Sequence, residues 1–347
     1  VQASTVPIRF LTPFAFLALL PLGQWLGGAW TFLAALATPL GLPVLDHVFG
    51  DDERRPNQAS ALPACLPRIY VVLQLAATVW AGSHVALVRT SLLEATGLTL
   101  SAGVTTGVFG FVAAHELIHS RDRRDRALGL TLLGSVLYMH FRIAHVFGHH
   151  RKAATLEDPA SARLGESLYA FLARSVAGQI AEAWTFEANR LRRTGRRVTS
   201  PANRMLRYLF VEATLLLVIG FLGVRALAFV LGTTMVSVTL LEGFNYIAHY
   251  GLSRGIAADG RIERLAARHS WNSSRRTNNA ALFNMGRHSD HHRFMTRSYE
   301  QLEPVAEEPR LPAGYAAALL TALIPPLWRQ VMDPRARAAE RTGGRAP

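Results

Sequence analysis

A single cysteine, Cys65, excludes an intrachain disulfide framework and any zinc, iron or iron–sulfur site assembled from four cysteines. It reads most simply as a small buried residue. The sequence also lacks an internal repeat and any extended low-complexity segment. Acidic residues are few: 24 Asp and Glu stand against 37 Lys and Arg, a formal charge of +13. Nucleic acid would suit that excess, but the charge avoids several long apolar runs, and no nucleic-acid partner is expected beside them. The first apolar run has no clear small-residue cleavage site after it and is followed almost at once by a second. A membrane hairpin is therefore expected in place of a removed leader.

Half of the residues are hydrophobic, and six segments approach the roughly 20 apolar residues that cross a bilayer as a helix. They are Pro7 to Trp25, Trp30 to Leu45, Ile69 to Val88, Leu92 to Ala114, Leu206 to Leu222 and Ala226 to Ile247. Residues 120–204 hold 15 Lys or Arg, whereas the connections near Gly27, Arg89 to Ser91 and Gly223 to Arg225 hold almost none. Basic loops stay on the cytoplasmic side. The expectation is an all-α integral membrane protein with six spans and a cytoplasmic-side helical cap. Its single domain, 1–347, has spans at about 7–45, 69–114 and 206–247 and cytoplasmic segments at about 46–68, 120–204 and 250–347. Both termini then lie in the cytoplasm, and the basic face meets anionic headgroups of the membrane lipids. Leu128 to Ile143, 16 residues long, falls below the roughly 17 that a span requires. It is expected to fold back on the cytoplasmic face.

Nine of the 13 histidines fall into three groups and a singleton: His115 and His119; His145, His149 and His150; His288, His291 and His292; and His249. The topology delivers all nine to one membrane face. His115-Glu116-Leu117-Ile118-His119 matches the HExxH pattern of zinc proteases, but that reading leaves the clustered histidines elsewhere unexplained. A proton or metal relay would place polar groups in mid-span, and these sit at span ends. Imidazole suits zinc, copper, iron and nickel, and nine ligands are too many for one ion and sufficient for two. His47, His84 and His140 read as ordinary surface or core residues. Candidates to orient the imidazoles are Glu242 and Asn245, on the helical stripe of His249, with Glu116, Asp158, His269 and Asp290 within or beside the groups.

HELIHS, HVFGHH, NYIAHYGL with its preceding Leu-Glu, and HSWNS followed by RHSDHH resemble the motifs of the integral-membrane alkane monooxygenases. These are non-haem di-iron enzymes of the membrane fatty-acid desaturase and hydroxylase superfamily. The three histidine boxes alone indicate the superfamily; the NYIAHYGL and HSWNS stretches make the group specific. The resemblance implies conversion of an alkane to its primary alcohol with dioxygen at two non-haem iron ions, held by the nine histidines. It further implies electrons from a rubredoxin with its reductase, and residence in the bacterial inner membrane with a cytoplasmic active site. The terminal ERTGGRAP reads as a linker toward a fused donor domain. A methyl-arene hydroxylase or a fatty-acid desaturase remains open at this point. Ala144 and Ala248 stand where the family commonly has Glu immediately before a ligand histidine.

Overall fold

The computed structural model describes residues 8–52, 61–88, 90–257, 260–305 and 308–343. Part of the ERTGGRAP segment, residues 344–347, lies outside them. Among the described residues no β-sheet forms, only three isolated bridges. The fold is all-α. Helices α1 (Thr12–Leu26), α2 (Leu33–Phe49), α3 (Ala61–Leu87) and α4 (Leu92–His119) lead the chain. Helix α5 (Arg123–Ser135) and a return segment, α6 (141–152), follow. Next come α7 (Leu168–Arg193), α8 (Arg204–Phe221) and α9 (Val224–His249). Short helices α10 (Arg276–Ala281), α11 (His288–Arg293) and α12 (Tyr315–Ala322) precede the terminal α13 (Pro325–Gly343).

Among the described residues, five helical stretches are long and apolar enough to cross a membrane: Ile8–Leu26, Gly28–Phe49, Cys65–Leu87, Leu92–His119 and Val224–His249. The expected sixth span, 206–222, is a helix whose 18 residues include Arg204, Arg207 and Glu212. These three charges keep it outside the set, although its outer face is as greasy as the others, with Phe210, Leu217 and Phe221 exposed. Helix α4 is the central one. In it 78% of the span is buried, against at most 33% in the rest.

Two close approaches fix the frame. A Cβ on Gly107 would stand 2.8 Å from the Ser237 Cα, so only glycine lets α4 lie against α9 there. A Cβ on Gly129 would meet the Ala114 carbonyl oxygen and the Ile118 side chain at 2.9 Å, so glycine also lets α5 run back along the end of α4. Helix α5 spans about 20 Å at 1.5 Å per residue, short of the roughly 30 Å hydrocarbon core. It stops at Val136, and Leu137 adopts a left-handed φ of 53° in the turn that reverses the chain. Residues 128–143 therefore form no single span-length helix: the helix ends and the chain turns back within them.

Candidate metal centre

Helix α4 starts at a capping box between Ser91 and Glu94 and carries a π-bulge over Thr106–Gly110. The Gln74 amide, on α3, donates to the hydroxyls of Thr105 and Thr106 at 3.2 and 2.9 Å. Beyond the bulge the last two turns present His115 and His119 on one face. A second π-turn, Ala144–His149, lies in α6. In a π-turn residues five apart share a row, so His145 and His150 point together and His149 points elsewhere. Helix α11 splits its histidines likewise: His288 and His292 lie one α-turn apart, and His291 faces the other way. Helix α9 ends at His249, where the Trp271 N–H donates to the Ala248 carbonyl at 2.7 Å.

All nine histidines are buried, and they assemble into two sets. His115, His119, His145, His150 and His291 form the first; His149, His249, His288 and His292 form the second. Within each set the donor nitrogens lie within 4.8 Å of one another. Nε2 atoms face each other at 2.7 Å for His115 and His145, 3.1 Å for His145 and His150, and 3.2 Å for His150 and His291. In the second set the spacings are 3.0 Å for His288 and His292 and 3.3 Å for His249 and His288. Nitrogens bound at about 2.1 Å to one ion stand about 3 Å apart along the edges of its coordination shell. Ring nitrogens of His119 and His149 are buried without a hydrogen-bond partner. Burial, reinforced by neighbouring imidazoles, holds His145, His150, His288 and His292 well below the ordinary histidine range and His291 down to about 3. They are neutral, the form that binds metal. The donor set fits two imidazole-ligated ions.

Orientation comes from behind the rings. The His149 Nδ1–H donates to Asp158 Oδ2 at 2.8 Å, leaving Nε2 free for the site. Asp158 is held in turn by the Ser161 hydroxyl at 2.6 Å and the Ala160 N–H at 3.1 Å. His249 Nδ1–H donates to the carbonyl of His269 at 2.9 Å, so His269 contributes its backbone to that ligand. The other candidates act elsewhere. Glu116, which a zinc protease would aim at its metal, accepts from the Tyr299 N–H at 3.1 Å. Glu242 gathers Tyr138, Ser175, Gln179 and Asn245 into a buried network, with distances from 2.6 to 3.3 Å. Asp290 binds Arg297 at 2.7 Å and the Glu303 N–H at 3.0 Å, anchoring α11 from outside.

A narrow cavity of about 110 Å³ opens beside both sets, touching His115 and His145 of the first and His288 of the second. Its wall is largely apolar and includes Val104, Phe111, Phe141, Leu241 and Phe244, of which Phe141 stacks on His145 and Phe244 meets His288 edge to face. Sequence reasoning did not find these residues, because apolar side chains facing a cavity and facing lipid look the same in one dimension.

The family model for fatty acid desaturases matches residues 91–320, the stretch that carries all nine histidines. Alkane 1-monooxygenase 1 of Pseudomonas aeruginosa is 42% identical over 89% of this chain and 84% of its own length. The chain belongs to the fatty acid desaturase family, in its alkane 1-monooxygenase group. Alkane 1-monooxygenase of Acinetobacter baylyi is 38% identical over 85% of this chain and 74% of its own length. The xylene/toluene monooxygenase hydroxylase component of Pseudomonas putida is more distant, at 29% identity over 88% of this chain and 82% of its own length. Membership in this oxygenase group removes the zinc-protease reading of HELIH.

Proposed function

We propose that this chain hydroxylates the terminal carbon of alkanes at two non-haem irons, one held by each histidine set. The carrying observation is the apolar cavity that reaches imidazoles of both sets at once. His115, His119, His145, His150 and His291 hold one ion, and His149, His249, His288 and His292 hold the other. Bound iron supplies the activation of dioxygen and the oxidising power for an unactivated C–H bond. The chain supplies the rest. Phe111, Phe141, Leu241 and Phe244 desolvate the hydrocarbon and confine it, so that a chain end rather than its middle is presented between the sets. The same wall excludes water from the reacting carbon. Asp158 and the His269 carbonyl keep His149 and His249 in the tautomer that turns Nε2 to the metal.

Cys65 alone cannot build a cysteine-ligated electron carrier within these residues, and the resemblance to the alkane monooxygenases implies a rubredoxin with its reductase as the donor, meeting the basic face. We place that face and both termini in the cytoplasm of a bacterium, with the spans in its inner membrane. The whole chain acts as one catalytic unit. The greater identity to alkane 1-monooxygenases than to the xylene/toluene relative favours an alkane over a methylarene. The test is metal analysis of the purified protein, together with product analysis on n-alkane, methylarene and fatty-acyl substrates. Two irons per chain and a primary alkanol are expected. One zinc per chain, or a desaturated acyl product with alkanes untouched, would overturn the proposal.

A further inference from the structure

We infer that Glu263 is a positioning residue for the second histidine set, acting through His269 on His249. The inference rests on reading the two sets as metal ligands. It starts from the carbonyl of His269, the acceptor for His249 Nδ1–H at 2.9 Å. A carbonyl can orient an imidazole only if its own peptide is held, and the His269 ring holds it. The Ala266 N–H donates to His269 Nδ1 at 2.9 Å, so the ring proton sits on Nε2, which donates to Glu263 Oε1 at 2.9 Å. Both ring nitrogens are thereby fixed, Nδ1 by Ala266 at the start of the turn and Nε2 by Glu263 before it.

Glu263 is itself clamped. Its Oε1 also accepts from the Gly255 N–H at 2.8 Å, its own N–H donates to the Gly255 carbonyl at 3.0 Å, and its Oε2 pairs with Arg268. Arg254 closes the loop onto the second histidine box. Its Nε donates to the Glu263 carbonyl at 2.7 Å, and a guanidinium N–H donates to the Arg151 carbonyl at 2.8 Å. Its backbone N–H reaches the Ala154 carbonyl at 2.8 Å. Arg151 directly follows His149 and His150. The carboxylate of Glu263, with 23% of its side chain exposed, thus braces the His269 turn behind His249, while its backbone carbonyl, through Arg254, ties the same loop to the element that carries His149. A surface ion pair alone would leave the imidazoles unaffected; this carboxylate joins a chain of bonds that ends on a ligand.

The experiment uses the full chain in detergent or nanodiscs loaded with ferrous iron, and in parallel with cobalt(II) as a spectroscopic probe. Metal per chain and the rate of release to a chelator are followed for Glu263→Ala, Glu263→Gln and a comparator, Glu166→Ala. Glu166 accepts from Arg174 at 2.8 Å, away from His269. In Glu263→Ala one of the two ions is expected to leave roughly 10- to 100-fold faster, with altered cobalt bands, while the other stays. Glu263→Gln keeps an oxygen acceptor and is expected to restore most of the retention. Two ions held as in the wild type by Glu263→Ala, or both ions lost in parallel as stability falls, would overturn the inference. If Glu263→Ala does not fold, Glu263→Asp takes its place. It is one methylene too short to reach Gly255 and His269 together, and it must show the same one-ion lability. A wild-type chain that binds no pair of ions would overturn the metal reading itself, a separate and recognisable result.

Discussion

Replacing Asp158 by Asn removes a charge but almost no volume, and the structure shows where the cost falls. Oδ2 accepts from both His149 Nδ1–H and the Ser161 hydroxyl, while Oδ1 accepts from the Ala160 N–H at 3.1 Å. The amide can keep its oxygen toward His149 and Ser161, but its NH₂ then confronts the Ala160 N–H, donor against donor. Turning the amide over moves the conflict onto His149. Either way one buried donor goes unpaired, at about 1–3 kcal/mol. Loss of a carboxylate behind a metal-bound imidazole costs roughly 10- to 100-fold in metal affinity, or about 1.4–2.8 kcal/mol. The two routes agree. The loss should be confined to the second histidine set, because His149 is the ligand that Asp158 touches. Anaerobic competition of the iron-loaded protein against a graded series of chelators would measure it, with alkanol formation followed in the same samples. Affinity within twofold of the wild type for both ions would show that Asp158 is a buried structural carboxylate and not a support of the site.

His249→Ala should leave about one metal per chain and abolish hydroxylation, because it empties one of four positions in the second set; two retained ions with normal turnover would remove His249 from the centre. Cysteines placed at Arg124 and Lys152 should label from the same side in oriented vesicles, since α5 and α6 form a fold-back, and opposite labelling would break the topology. Gly129→Val places side-chain carbons against the Ala114 carbonyl oxygen and the Leu117 and Ile118 side chains. Separating α5 from α4 should cost about 1–3 kcal/mol and loosen metal at the first set, read as a lower thermal midpoint with faster release of one ion. An unchanged midpoint would mean that the two helices can part freely.

The nine histidines could be gathered from spacing and topology, because apolar length and basic loops decide which span ends share a face. The division of nine into five and four could not. It depends on a π-turn at Ala144–His149 that pairs His145 with His150, whereas α-helical spacing would pair His145 with His149. Asp158 was legible as a carboxylate near a box. Its contact arises because the chain doubles back after Ala153, with Ala154 in a left-handed conformation. The role of His269 was hidden for a different reason: a carbonyl oxygen belongs to every residue, so no side-chain pattern announces it. Glu242 and Asn245 do share a stripe with His249, but a stripe is continuous while a hydrogen bond is local. Two turns of helix suffice to turn that carboxylate to Tyr138, Ser175 and Gln179 instead.

These orienting contacts decide what a carboxylate at the two alanines before ligand histidines would do. If Glu at position 248 served to orient the following imidazole, the backbone here already fills that role, since His249 Nδ1–H is taken by the His269 carbonyl at 2.9 Å. Ala248 is fully buried and its own carbonyl is engaged by Trp271. Ala144 is likewise enclosed in the main apolar cluster, in the first residue of the π-turn. Ala248→Glu must therefore find space for four further heavy atoms and a partner for a buried charge. An uncompensated carboxylate would be protonated or would displace its surroundings, and either outcome costs folding free energy. The expected result is lower yield of folded protein and unchanged or faster iron release for Ala248→Glu, with Ala144→Glu behaving alike. The double variant should be worse than either. Fluorescence-detected size exclusion and chelator-release kinetics on the single and double variants would measure both quantities. Tighter iron retention in Ala248→Glu, with the fold intact, would show that the His269 carbonyl is not a sufficient partner for His249 and that this chain lacks a support its relatives possess.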